Sequence, residues 1–513
     1  MADVTPVHVG QLSPDGRWRW DGTAWQPVIP TPTWLSTTLR SRATWATVGA
    51  VLLIGLLADQ WLRTGSFGIA ASLTFIFGAL ALVAFGRVDR LEPKLLIAAA
   101  AVFAAAFALR ASPWLLWPDL AAAVLLLGAA ASIAARGSLF DVGVAEVMAR
   151  SFHGLIHLFA GIPFVARPVV SVRGRVSGVV PIARGILIAL PIAAVLAALL
   201  ASADPVFASF FNLNIDVGRL ILDVLFMCIG SAAAAGLLRL VASEPVDRVD
   251  GPTWRLGATE SLVVLVILDA VFTAFAIAQV LAATGAAADT LRNAGVTYSD
   301  YARSGFFQLL WVAGITLALL ILFSRISAFK ERRSRLAFLV LAESAIALTL
   351  MIDVVAFRRL SLYEEAYGFT MLRLYSHVFA VWVGAVFLLL AAEFMGVWRS
   401  RRWFVGAAAT TGCAVLLGLN VANPEAMVVA FNTNHALSAH KIDSEYLSEL
   451  SSDATPALLE SRAQLEPALR DQVTRAVCAF PRAYSPPPAA YNWAEAAAAD
   501  AKSRSCPPFL GPS

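Results

Sequence analysis

Charge is what this sequence has least of. Only 14% of its 513 residues are Asp, Glu, Lys or Arg, against 59% hydrophobic, whereas a soluble domain of ordinary composition is about 25% charged. Such an apolar surplus does not fit inside one water-soluble core, so lipid must supply the missing surroundings. Histidine (6) and cysteine (4) are scarce as well. No C-x-x-C pair and no Cys/His spacing suits zinc, so neither a metal nor any other cofactor is expected. Walker, G-x-G-x-x-G, G-x-S-x-G and H-E-x-x-H signatures are missing, which leans away from an enzyme. The net charge of +4 is modest and comes from arginines in particular loops, which points to the bilayer as partner rather than nucleic acid. The first 40 residues hold no apolar core segment, so no cleavable signal peptide is expected.

What is present is a series of long apolar runs. A helix crossing the hydrocarbon needs roughly 20 mostly apolar residues, and backbone polar groups in lipid must be satisfied within the segment. Eleven stretches meet this rule: 44–62, 66–86, 95–110, 114–135, 182–203, 217–240, 259–281, 305–324, 336–356, 374–396 and 403–421. The third is short and ends at Arg110-Ala-Ser-Pro113, which leaves 95–135 open between two spans and a re-entrant hairpin. The expected fold is all-α: a polytopic transmembrane bundle of about eleven helices, with a small, mainly helical C-terminal domain outside the cytoplasm.

Orientation follows from where Lys and Arg collect, because cytoplasmic loops retain them. With the N-terminus inside, 24 basic residues fall inside and 8 in outside loops, the tail holding 7 more. Five of the inside ones (Arg325, Lys330, Arg332, Arg333, Arg335) stand between two successive spans. The tail beyond 422 is then extracytoplasmic, an oxidising compartment, and Cys478 and Cys506 are expected to pair there. Cys228 and Cys413 lie in apolar runs and read as small hydrophobes. The organisation expected is an arm at 1–43, four spans at 44–135, a cytoplasmic amphipathic segment at 136–181, seven spans at 182–421 and the tail at 422–513. The location expected is a bacterial cytoplasmic (inner) membrane.

Two segments are not membrane-like. In 13–28, SPDGRWRWDGTAWQPV, Trp18 and Trp20 alternate with Arg17 and Arg19 before Asp21-Gly22 and Trp25, which is a hairpin pattern. So small a hairpin cannot stand alone and is expected to dock on a protein partner; the plainer alternative is an arm whose Trp rings sit at the headgroup level. It is similar to a short Trp-Asp-Gly-x-x-Trp motif found at the ends of bacterial membrane proteins. Residues 138–170 alternate at helical spacing around Asp141, Glu146, Arg150, His153 and His157, as an amphipathic helix on the cytoplasmic face would. Position 154 is Gly where a zinc protease carries its Glu, so the two histidines read as interfacial.

Charges inside membrane helices are costly and mark functional sites by default. Asp223, Asp269, Glu343 and Asp353 are such acids. Arg219 with Asp223, and Arg373 with His377, are four apart and share a helix face. With Arg303, most of these groups fall towards the outer side, Asp269 and Glu343 lying deeper, and they outline a candidate polar site facing outwards beneath the tail. An ion-paired network that holds the bundle together is the structural alternative.

Several stretches carry a resemblance: Tyr301-Ala-Arg303-Ser-Gly305-Phe-Phe307, Arg359-Leu-Ser-Leu-Tyr363-Glu-Glu-Ala-Tyr367-Gly368, Thr370-Met-Leu-Arg373-Leu-Tyr375, Asn423-Pro424, Asp443-x-x-Tyr446-Leu447 and Leu450-Ser-x-Asp453-Ala-x-Pro456. Together they resemble, over about residues 180–460, a bacterial family of multi-pass membrane proteins known only as a domain of unknown function. The resemblance implies an integral membrane protein and brings no activity with it. Three function classes follow. The first is a cell-envelope sensor, scaffold or assembly protein with partners at the Trp segment and the tail. The second is a proton- or cation-coupled transporter or channel. The third is a membrane-embedded enzyme acting on an outer-leaflet substrate.

Overall fold

The computed structural model describes residues 32–171, 217–249, 254–283, 306–398, 402–479 and 484–506, most of 18–27, and scattered residues at 11–13 and between 185 and 207. Near the N-terminus, β1 (Trp18–Trp20) pairs antiparallel with β2 (Trp25–Pro27), so the expected hairpin forms, with Gly22 at positive φ between its strands; Asp21 lies outside the described residues. The Trp20 and Trp25 rings are 5.5 Å apart.

Long apolar helices then alternate in direction: α1 (Trp45–Thr64), α2 (Ile69–Phe85), α3 (Leu91–Leu109) and α4 (Pro113–Ile133). Two helices lying along one face follow, α5 (Val144–Phe159) and α6 (Gly161–Ser171). The second set is α7 (Val217–Val241), α8 (Ala258–Ala283), α9 (Phe306–Ile326), α10 (Arg332–Tyr367), α11 (Met371–Met395) and α12 (Phe404–Ala422). Among the described residues nine helices are long and apolar enough to span a membrane, and α2 is a shorter apolar one. Large apolar side chains such as Leu125, Trp311 and Val340 remain exposed on them, as on surfaces that lipid covers. Of the expected fifth span, 182–203, only scattered residues are described. The chain ends α6 on one face, and α7 starts from the other.

Two differences from the expected boundaries have a physical cause. Helix α3 begins at Leu91, not 95, because Glu92 in its first turn is used: its carboxylate accepts from Leu139 N at 2.5 Å and Ser138 Oγ at 3.1 Å. Helices α3 and α4 are therefore each of spanning length, and the re-entrant alternative falls away. Helix α10 has 36 residues, about 54 Å at 1.5 Å per residue, well beyond a hydrocarbon core of about 30 Å. Its last turns still pack on α11 and α9, through Phe357, Ser361 and Glu364 against His377 and Leu360 against Phe306.

The apolar core comes in two lobes. One is built from α1–α4 and α7 around Leu82, Phe103, Phe107 and Leu238; the other from α8–α11 around Leu265, Leu320, Ile346 and Phe387. Helix α12 touches both, with Cys413 and Leu416 against the first and Phe404 in the second. Small residues let α1 and α7 cross closely: a Cβ on Gly230 would stand 2.3 Å from Ala58 Cβ, as at other small-residue helix contacts.

The tail is helical: α13 (Pro424–Ala439), α14 (Ser444–Glu449), α15 (Thr455–Ser461), α16 (Pro467–Cys478) and α17 (Trp493–Ser505). Its core continues α11, with Met371 and Leu374 packed among Val428, Leu447, Leu458 and Val473. Cys478 and Cys506 form a disulfide with Cα atoms 5.5 Å apart, tying the end of α17 to α16. The last part of the tail, 484–506, is also held by the bundle. Asn492 donates to the carbonyls of Phe107 (3.1 Å) and Arg110 (2.8 Å), and Tyr491 O accepts from Ile69 N (3.0 Å). All tail contacts lie at one end of the bundle, the tail face. The arm, α5 and α6 lie at the other, the arm face.

Candidate functional site

On the arm face, the amphipathic helix turns its polar side inwards. Glu146, Arg150, His153 and His157 of α5 are buried, while Met148, Phe152, Leu155 and Phe159 are exposed. The histidines are thus not interfacial: they hold the N-terminal arm. Arg239 donates to His157 Nδ1 at 2.9 Å, so the neutral ring carries its proton on Nε2, which faces Ser36 O at 3.3 Å. His153 takes the opposite tautomer, because Nδ1 faces the acceptor-only Trp34 O at 3.0 Å and Nε2 faces Ser243 Oγ at 3.1 Å. Burial lowers the proton affinity of both rings, that of His157 to about 4.

On the tail face, the turn between α3 and α4 is captured by the tail. Asp453 accepts from the backbone amides of Ala111 (2.8 Å) and Ser112 (2.7 Å), with Arg110 at 3.8 Å. This places a carboxylate at the N-terminus of α4, where the helix dipole favours one. Glu425, in the first turn of α13, accepts from Ser112 Oγ and Ser451 Oγ, both at 2.6 Å. Asn423 caps α13 and donates to Asp453 O at 2.9 Å. Arg110 also donates to the Asn420 carbonyl, and Asn420 donates to Asp119 at 2.8 Å. Burial raises both the Glu425 and Asp453 carboxyls above the ordinary range, against the opposing effect of these donors. We call this set the tail latch. Sequence reasoning missed its acids as site residues. The signal available was Arg110-Ala-Ser-Pro113 and the Asn423-Pro424 and Asp453 motifs, all three noticed but not connected.

The groups expected to form one outward site are distributed over three places. Asp223 of α7 meets Arg63 of α1 at 2.8 Å, and the same guanidinium holds Asp59 at 2.6 Å; Arg219 lies one turn before Asp223 on α7. At the junction of α10 and α11, His377 Nδ1 is 3.1 Å from Glu364 and its Nε2 3.1 Å from Ser361 Oγ. Arg373 donates to Gly368 O and lies 4.4 Å over the Tyr363 ring. The third place is deep between α8 and α10. Asp269 is nine-tenths buried, with the Ser344 hydroxyl of α10 set against its carboxylate but no well-formed hydrogen bond on either oxygen; Glu343 Oε1 is buried without one. Asp353 faces α11 at Gly384, where a Cβ would stand 3.1 Å from its carboxylate. Arg303 lies outside the described residues. Among the described residues no group of three His, Cys, Asp or Glu is placed to hold a metal.

The spans, the buried polar contacts at both faces and the docked tail define a polytopic helical membrane protein. The chain belongs to the family of the domain of unknown function DUF4153, whose model matches residues 97–461. That stretch runs from within α3 to the end of α15, further towards the N-terminus than the motifs suggested. No curated protein and no solved structure matches the chain.

Proposed function

We propose that the protein is a scaffold or sensor of a bacterial cell envelope, its tail outside the cytoplasmic membrane and its Trp hairpin inside. The observation that carries this reading is the tail latch. Its carboxylates are consumed by bonds within the chain, so the tail is held as a platform and not as a lid over an open cavity. The arm face follows the same rule, since His153, His157, Arg150 and Arg239 all serve to fix the arm and α5. What each face leaves free is surface: the hairpin with Trp25 exposed on one, the helical tail on the other.

The test is site-specific photo-crosslinking in cells. A photoreactive residue at Trp25 or Gln26, and another at Glu445 on the exposed side of α14, should each give a discrete protein adduct. The same two hairpin positions should capture one partner. A lipid-facing control at Leu125 should give none. No discrete adduct from either face would overturn the reading.

The direction of insertion has its own test. The expected result with a membrane-impermeant maleimide on intact cells is no labelling of Cys478 and Cys506 until a reductant is added, and full labelling afterwards. Labelling that needs permeabilised cells would reverse the orientation.

A further inference from the structure

We propose that α8 and α10 carry a proton relay through the membrane interior, with Asp269 and Glu343 as its central station. This goes beyond the scaffold reading and does not depend on it. Buried acids elsewhere in the chain are held by donors: Asp453 by two amides, Glu425 by two hydroxyls, Glu146 by Arg150 at 2.8 Å, Asp119 by Asn420. Asp269 breaks that rule. It lies in the middle of a spanning helix, is 9% exposed, and has no charged partner among the described residues; the Ser344 hydroxyl of α10 is set against it without closing a well-formed hydrogen bond. A carboxylate kept for packing is costly in hydrocarbon without a partner. Such an acid is tolerated where it gains and loses a proton.

The arrangement sets proton-carrying groups at successive depths along α8, α10 and α11. Asp269 and Glu343 each stand eleven residues beyond the first residue of their helices, Ala258 and Arg332. Leu256 and Gly257, which lead straight into α8, pair with Ser327 and Ala328, three residues before α10, and Ser344, beside Glu343, is set against the Asp269 carboxylate. The two acids therefore share a depth of roughly 16 Å from the arm-face ends. Helix α10 is the helix packed along α8, and it brings Glu343 and Ser344 to that level.

Towards the tail face, Asp353 and Glu364 are eleven residues apart on α10. At 100° per residue that is close to the same side of the helix, one roughly 16 Å above the other. On α11, His377 and Gly384 are seven residues apart, again about one face. Asp353 against Gly384 and Glu364 against His377 are thus two rungs of one seam.

The chemistry moves protons only. At each station a carboxylic acid releases H⁺ to water and becomes a carboxylate, and the next carboxylate or imidazole accepts one. Nothing is oxidised. Gaps of about 15 Å need a file of waters between stations. A hard metal cation is a poorer fit, because it asks for some six oxygen ligands and each station offers one or two carboxylates.

The test uses the purified full-length protein in phospholipid vesicles with a pH dye inside and a valinomycin-set potassium potential, negative inside. Wild type should acidify the lumen at least tenfold faster than protein-free vesicles. Asp269→Asn and Glu343→Gln should each remove most of that flux, while Asp269→Glu retains it; an intact Cys478–Cys506 disulfide and a single gel-filtration peak report correct folding. Wild-type flux equal to empty vesicles would overturn the relay. So would an undiminished rate in folded Asp269→Asn, or a current carried by sodium at constant pH. None of these outcomes bears on the crosslinks that test the scaffold.

Discussion

Asp453→Ala is expected to loosen the tail from the bundle at a cost of about 3 kcal/mol. The carboxylate is 1% exposed and accepts two backbone amides. Removing it orphans Ala111 N and Ser112 N in a buried place, at about 1–3 kcal/mol each. Arg110 loses its counter-charge but keeps the Asn420 carbonyl, so the full penalty of a stranded buried cation is softened. Asp453→Asn retains one acceptor oxygen and should lose less than half as much. The measurement is hydrogen exchange at residues 109–113 together with protease cleavage of the tail. Both should rise steeply in Asp453→Ala, and only modestly in Asp453→Asn. Unchanged exchange at Ser112 in folded Asp453→Ala would show that the latch does not hold the tail.

Acid is expected to release the N-terminal arm. When the arm is docked, His157 has its proton affinity lowered to about 4 and His153 is lowered too, in both cases chiefly by burial. In the released state both rings have an ordinary value near 6.5. Between these limits the released state binds more protons, so docking weakens as pH falls. Docking is at full strength above about 6.5 and levels off at its weakest below about 4. The groups facing His157 are Arg239, His153 and the Ser36 carbonyl; those facing His153 are Ser243, the Trp34 carbonyl and, at longer range, Arg150. A proton on His157 would have to share Nδ1 with a guanidinium donor, and no acceptor is there to take it. Exchange of the amides at 32–43, corrected for intrinsic rates, should increase as pH drops from 7 to 4.5. His157→Gln, which has no proton to gain, should flatten most of that rise.

The spans were legible because lipid imposes one requirement on each of them. Ten of the eleven expected segments are helices among the described residues, with errors where a charge was read as an end. Glu92 and Lys94 belong inside the start of α3, since a charge at the membrane boundary can find donors there. Helix α10 runs on through Arg358, Arg359 and Glu364 because its last turns meet protein and water. The disulfide was legible from compartment logic, given only two cysteines in a polar tail. The latch was not. Asp453 and Ser112 lie 341 positions apart, and no local pattern marks an acid in a soluble segment as one that will be buried. The histidines failed differently. Periodicity identified the polar face of α5 but not its direction, and only packing shows that this face looks inwards to the arm.

The latch also bears on how the molecule is made. Its first half, the turn at 110–113, leaves the ribosome hundreds of residues before its second half, Glu425 to Asp453. Until the last helix has crossed, the amides of Ala111 and Ser112 have no carboxylate to meet. Closure thus requires that the crossings in between come out in the right sense overall, because the loss of a single one would leave the two halves on opposite sides. A chain stalled in the membrane would keep that turn open, as an exposed mark by which an unfinished copy differs from a finished one.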